Sequence, residues 1–210
     1  LIQAARTLNR HPKVIFSSTA TVYGLTKETP TSERKMPNPI TFYDLHKLFI
    51  EQQLILATKL GILDGVSLRL SNVYGPSKGF SSSDDRGILN KVTHSALKGK
   101  NLSLYGSGDY LRDYIYIDDV VNAFIAIGFS DNIAGLVLNV GSGIGVTIKD
   151  AFRIVISEVE RITNIQLEIN SVPWPLNSNE IELRNFVASN QKIKWHKKEG
   201  MRIKLMIHRT

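Results

Sequence analysis

"KVIFSS", residues 13–18, is a short apolar, β-branched run that ends on small hydroxyls. Its length and composition predict a buried strand. Residues 24–41 carry Gly24, Pro30, Pro37 and Pro39 and read as a loop. Residues 42–60 predict an amphipathic helix closed by Gly61, with Ile50, Leu54 and Ala57 on one apolar stripe and Leu48 or Phe49 beside it. "GVSLRLSN" (65–72) reads as a second buried strand. Strand, helix, strand is the unit of an α/β fold with a mainly parallel sheet.

The alternation continues outward. "VYGPSKGFSSSDD" (73–85) reads as a loop, 86–99 as a helix, "NLSLYG" (101–106) as a strand, 106–113 as a turn and "YIYI" (114–117) as a strand. A helix over 119–129 is expected to be capped by Asp118 or Asp119, and a later one, from residue 148, by Thr147. "GLVLNVGSG" (135–143) reads as a strand with a glycine turn and "IQLEIN" (165–170) as a strand; a Pro-rich loop and a helical tail follow. Ligands of such sheets sit beyond the carboxyl ends of the strands. Ser17, Ser18 and Thr19, then Ser71 and Asn72, then Asn139 with Gly141, Ser142 and Gly143 fall at those ends.

Composition bounds the function. The 210 residues are 42% hydrophobic and 21% charged, an ordinary globular balance. There is no cysteine, which excludes disulfides and thiolate metal sites, and no apolar run approaches membrane-spanning length. The net charge of +7 is concentrated in the C-terminal "NQKIKWHKKEGMRIKLMIHRT". It reads as a solvated basic tail with an attraction for anionic small molecules, and not as a nucleic-acid surface. The start has no secretory layout and no methionine, and it opens on a helix feeding a buried strand. A cytoplasmic protein whose beginning lies upstream is expected.

The chemistry lies in three residues. Thr19 ends a strand, Tyr43 opens the helix expected beside it, and Lys47 follows one turn on, on the same helical side. A cation so close lowers the proton affinity of a phenol from its usual pKa of about 10. A phenolate nearer neutrality takes a proton from a sugar hydroxyl, and the phenol returns it. Thr19 would hold the same oxygen, and making a carbonyl this way requires a hydride acceptor alongside. Taken singly, each feature is bland. A Tyr-x-x-x-Lys pair decorates many helices, Thr19 is a strand-end cap, Asn72 a turn former, and Arg112 beside Asp113 a surface pair worth under about 1 kcal/mol.

In order, "VIFSSTATVYG" (14–24), "YDLHK" (43–47), "SLRLSNVYGP" (67–76), "LSLYGSGDYLRDYIYIDDVVNAF" (102–124) and "LNVGSGIGVTIKD" (138–150) resemble successive motifs of the extended short-chain dehydrogenase/reductase family, in its branch of nucleotide-sugar epimerases and dehydratases. The resemblance runs from the first residue to about Trp195. It implies the C-terminal part of a Rossmann-like parallel sheet with a smaller mixed α/β substrate lobe. Residues 1–72 would be the end of the NAD-binding domain and 73–210 mainly the substrate lobe, with 114–145 returning to the first. By the same resemblance Thr19, Tyr43 and Lys47 are catalytic. Ser17 and Ser18, with Tyr43 and Lys47, face the nicotinamide side of an NAD site. Thr19, Asn72, Leu104, Tyr105 and Arg112 bind a nucleotide-diphospho-sugar, with Asn72 and Arg112 on its phosphates and Leu104 and Tyr105 along its base.

The departures are as informative. The family's Gly-x-x-Gly-x-x-Gly turn and the acidic residue that reads the adenosine ribose are absent, and "GSGIGVT" (141–147) comes too late to replace that turn. The chain alone is therefore expected to be inactive. The family's late arginine has no clean match; Glu182 and Arg184 occupy its region without an assigned role. Dehydratases carry an Asp-Glu pair after the catalytic threonine, where this chain has Ala20 and Thr21. That argues for an NAD-dependent epimerase acting through a transient keto-sugar, or for a reductase of a nucleotide-linked keto-deoxysugar. A non-catalytic NAD-linked or basic interaction module is the alternative of another class. No nucleic acid, membrane or metal is expected as a partner, and a second copy of the chain is a candidate one.

Overall fold

The computed structural model describes residues 1–8, 10–76, 87–176 and 178–193. After a short helix α1 (Ile2–Thr7), β1 (Lys13–Thr19) pairs in parallel with β2 (Asp64–Leu70), from Lys13 opposite Asp64 to Thr19 opposite Leu70. The crossover between them is α2 (Phe42–Lys59), and Gly61 follows it with the positive φ that a side chain would resist. β2 also pairs in parallel with β6 (Val137–Val140), which makes it the central strand and buries it from Gly65 to Arg69. Val66, Leu68, Leu138 and Val140 join Ile115 and the inner face of α4 (Ile117–Gly128: Val120, Ala123, Ile127) in one core.

A second core lies between α3 (Ile88–Leu97), α5 (Ile148–Thr163) and a parallel pair, β4 (Leu102–Tyr105) with β8 (Ile169–Val172). Ala96, Leu102, Leu104, Phe152 and Val159 form its centre. Between the two cores runs β5 (Leu111–Tyr116), parallel to β3 (Asn72–Tyr74) and antiparallel to β7 (Gly145–Thr147). The architecture is α/β with mainly parallel strands, as expected. Among the described residues no helix is long and apolar enough to cross a membrane.

Several elements differ from expectation. β5 begins at Leu111, inside the expected turn, because Arg112 and Asp113 are strand residues buried by partners on other elements. α4 follows β5 without a loop and is capped at Tyr116; Asp118 and Asp119 sit in its first turn, against the positive end of the helix dipole. The last strand is shifted to 169–172. On α2 the buried positions are Asp44, Glu51, Leu54 and Ala57, while Phe49 and Ile50 are exposed. Two carboxylates turned inward rotate the buried face away from the apolar stripe. Thr147 caps α5 as expected, its Oγ1 accepting the Asp150 N–H at 3.0 Å. The expected loop over 73–85 and the helical, basic tail lie largely or wholly outside the described residues.

Candidate active site

Thr41 starts α2 by accepting the Asp44 N–H on its hydroxyl at 3.1 Å. That start sets Tyr43, Asp44 and Lys47 on the first turns, beside the carboxyl end of β1. Lys47 Nζ donates to the Ser17 carbonyl at 2.7 Å and lies 5.7 Å from the Tyr43 ring centroid and 4.9 Å from that of Phe16. Burial pushes the Lys47 ammonium below the ordinary lysine value. Tyr43 itself is 57% exposed.

A second tie joins the same two elements. Thr19 Oγ1 accepts the Thr21 N–H at 3.2 Å, capping a single 3₁₀ turn over Ala20–Tyr23, and lies 2.9 Å from Thr21 Oγ1. The Thr21 hydroxyl in turn donates to Asp44 Oδ1. Ser17 and Ser18 alternate across β1, as adjacent strand residues must. Ser17 is exposed, whereas Ser18 is buried with its hydroxyl on Glu51. Glu51 also takes a two-pronged contact from Arg69, at 3.0 and 2.6 Å, so Ser18 belongs to a buried ion-pair network under the site and offers a cofactor no hydroxyl.

On the neighbouring strands, β3 sets Asn72 opposite Tyr114 of β5, and Asn72 Nδ2 donates to the Asp113 carbonyl at 3.1 Å. Arg112 is buried. Its Nη2 donates to the Glu182 carbonyl at 2.6 Å and its Nη1 to the carbonyls of Leu111 and Arg184. Asp113 faces the other way and accepts from four donors: Ser142 N–H and Oγ–H, Gly143 N–H and Ala188 N–H. The bland alternative for Arg112, a surface pair with Asp113, therefore does not form. Arg184 lies close enough to Arg112 to disfavour the charge of the Arg112 guanidinium. Burial and Arg184 push Arg112 down to about 10, and burial lowers Arg184 as well. The carboxylate of Glu182 is a partial counter-charge, half exposed and 3.8 Å from Arg112. Arg184 donates Nη1 to the Ile181 carbonyl at 2.8 Å, while its buried Nε meets no acceptor among the described residues. Two neighbouring guanidiniums, both held below the usual arginine value by burial, are what an anionic ligand would relieve.

On β4 the expected pair splits. Leu104 is 4% exposed and committed to the second core, so its side chain cannot reach a ligand. Tyr105 points outward and stacks on Trp174, ring centroids 5.5 Å apart.

Thr21 and Arg184 entered the sequence reading without an assigned role and Asp44 not at all; each is defined by a partner on another element. The donor set at the end of β1 fits a dinucleotide cofactor. Of the three N–H groups on Lys47 one is spent on Ser17, leaving two beside an exposed phenol for the hydroxyls of a ribose.

The profile of the NAD dependent epimerase/dehydratase family matches residues 1–141. A UDP-glucose 4-epimerase of Mycolicibacterium smegmatis is 32% identical over 150 residues, 71% of this chain and 47% of that protein. A dTDP-4-dehydro-6-deoxyglucose reductase of Escherichia coli is 35% identical over 146 residues, 65% of this chain and 42% of that protein. The crystal structure of the Thermotoga maritima UDP-glucose 4-epimerase with UDP-glucose superposes with a TM-score of 0.78 at 29% identity, covering 93% of this chain and 60% of that one. The chain thus spans about half the length of the curated relatives it matches.

Proposed function

This chain belongs to the NAD dependent epimerase/dehydratase family, and from that premise we propose that the complete protein is an NAD-dependent epimerase of a nucleotide-diphospho-sugar, working through a transient keto-sugar. NAD, when bound, supplies the hydride acceptor and donor for the reacting carbon. Tyr43 takes the hydroxyl proton of the sugar and returns it, and the Lys47 ammonium steadies the phenolate between those events. Thr19 meets the same sugar oxygen. Ser17 and Lys47 border the nicotinamide ribose, with Ser18 bracing β1 from beneath. Asn72, Arg112 and Arg184 form the diphosphate subsite, and Tyr105 on Trp174 receives the base. The core around β1, β2 and β6 is the cofactor side and the core around α3 and α5 the sugar-nucleotide side. A second copy of the protein is proposed to cover the outer face of α2.

One observation carries epimerisation over dehydration. The residue after Thr19 is the buried Ala20, the next hydroxyl is spent on Asp44, and Asp44 is itself 1% exposed. No accessible carboxyl follows the threonine to protonate a leaving hydroxyl. The 35% identity to a reductase supports a second reading, one-way reduction of a keto-deoxysugar by the same residues. The test is to incubate the complete protein and NAD with a panel of UDP- and dTDP-sugars and follow the sugars by NMR. Epimer interconversion without net NADH change is expected. Net NADH consumption with keto-sugars and no interconversion would establish the reductase instead.

A further inference from the structure

Resting on the assignment of Thr19 to the sugar oxygen, we propose that Thr21 and Asp44 fix the direction of the Thr19 hydroxyl, so that it turns a lone pair and not a proton toward the ligand. A proton count leads there. Thr21 Oγ1 carries a single hydrogen. The Asp44 carboxylate only accepts, and its Oδ1 takes that hydrogen. In the 2.9 Å contact between Thr21 Oγ1 and Thr19 Oγ1, the hydrogen is therefore Thr19's own. Thr19 Oγ1 also accepts the Thr21 N–H at 3.2 Å. What remains on Thr19 is one lone pair, on a hydroxyl whose proton is already spent. The anchoring carboxylate is 1% exposed, its Oδ2 meets no donor among the described residues, and it lies close enough to Arg184 to favour that guanidinium's charge. Asp44 does not touch the ligand; it is a positioning residue that acts through two hydroxyls.

The consequence is selectivity for the state of the sugar oxygen. A hydroxyl on the reacting carbon can donate to Thr19. A carbonyl there has no hydrogen to offer and would meet lone pair against lone pair. The alcohol is gripped at two points, and the keto-sugar by the Tyr43 phenol alone. A single contact lets the keto-sugar turn and present its opposite face, which epimerisation requires.

The test is a binding measurement on the complete protein carrying NAD and the substitution Tyr43→Phe, which prevents turnover and leaves Thr19 to meet the hydroxyl. UDP-glucose and UDP-4-deoxy-4-fluoroglucose are titrated calorimetrically; fluorine keeps the size and removes the hydrogen. The fluoro analogue is expected to bind about tenfold more weakly, the size of one hydrogen bond. Adding Thr21→Val frees the Thr19 proton to swing toward the ligand and should shrink the difference to less than about threefold. Thr21→Ser should restore it, which a merely structural role for the side chain would not predict. Asp44→Leu, which removes the acceptor for the Thr21 hydroxyl and lets it donate to Thr19 instead, should weaken the discrimination in the same direction. Discrimination that survives either Thr21→Val or Asp44→Leu, or a parent protein indifferent to fluorine, would overturn the proposal. Failure to bind either sugar nucleotide would overturn the reading of the site itself, and this inference with it.

Discussion

Arg184 has a buried Nε with no hydrogen-bond partner among the described residues, and its charge disfavours that of Arg112. It is a cleaner probe of the diphosphate subsite than Arg112, whose guanidinium also holds the backbone of residues 182–184 in place. Arg184→Ala in the complete protein is expected to raise the sugar-nucleotide KM about 10- to 100-fold and change kcat by less than about threefold, because a diphosphate is bound alike in ground and transition states. Steady-state kinetics decide it; an unchanged KM counts against the subsite. At this scale the sequence was legible where spacing along one helix does the work, as with Tyr43 and Lys47. It was opaque for Asp44 and Glu51. An acid on a helix reads as solvent-facing until its partner is known, and those partners, Thr21 and Arg69, come from other elements. The bland pairing of Arg112 with Asp113 fails for a related reason, since neighbours on a strand face opposite ways.

Among the elements, the parallel strands and the helices between them were readable from runs of apolar residues and from glycine and proline punctuation. β5 was not, because its inward side chains are polar. α2 combines both outcomes. Its inner face carries charges, and its outer face shows Phe42, Leu45, Phe49, Leu56 and Leu60, all at least half exposed and spaced to share one side. A stripe of that length matches an identical stripe on a second copy packed about a two-fold axis. The double substitution Phe49→Asp and Leu56→Asp is expected to convert a dimer of the complete protein to a monomer in sedimentation velocity, with its far-UV circular dichroism unchanged. A parent protein that sediments as a monomer would sink this reading.

For the whole molecule, the family resemblance implied two lobes but not what ties distant parts of the chain together. One such tie is Asp113, buried on β5. It clasps the turn after β6 through Ser142 and Gly143 and the segment near the C-terminus through Ala188. In Asp113→Asn an amide can replace one oxygen, which sets N–H against N–H for at least one donor and removes the charge from the rest. A loss of about 3 kcal/mol or more is expected in urea unfolding, since hydrogen bonds to a charged group contribute about 1.5–3 kcal/mol each. The clasp also bears on how the molecule melts. Segments distant in sequence that share one carboxylate should lose their structure as a single cooperative unit, giving one endotherm whose calorimetric and van't Hoff enthalpies agree. Once the clasp is cut, the segment at Ala188 is left to its own local stability, and the Asp113→Asn trace should resolve into two successive transitions.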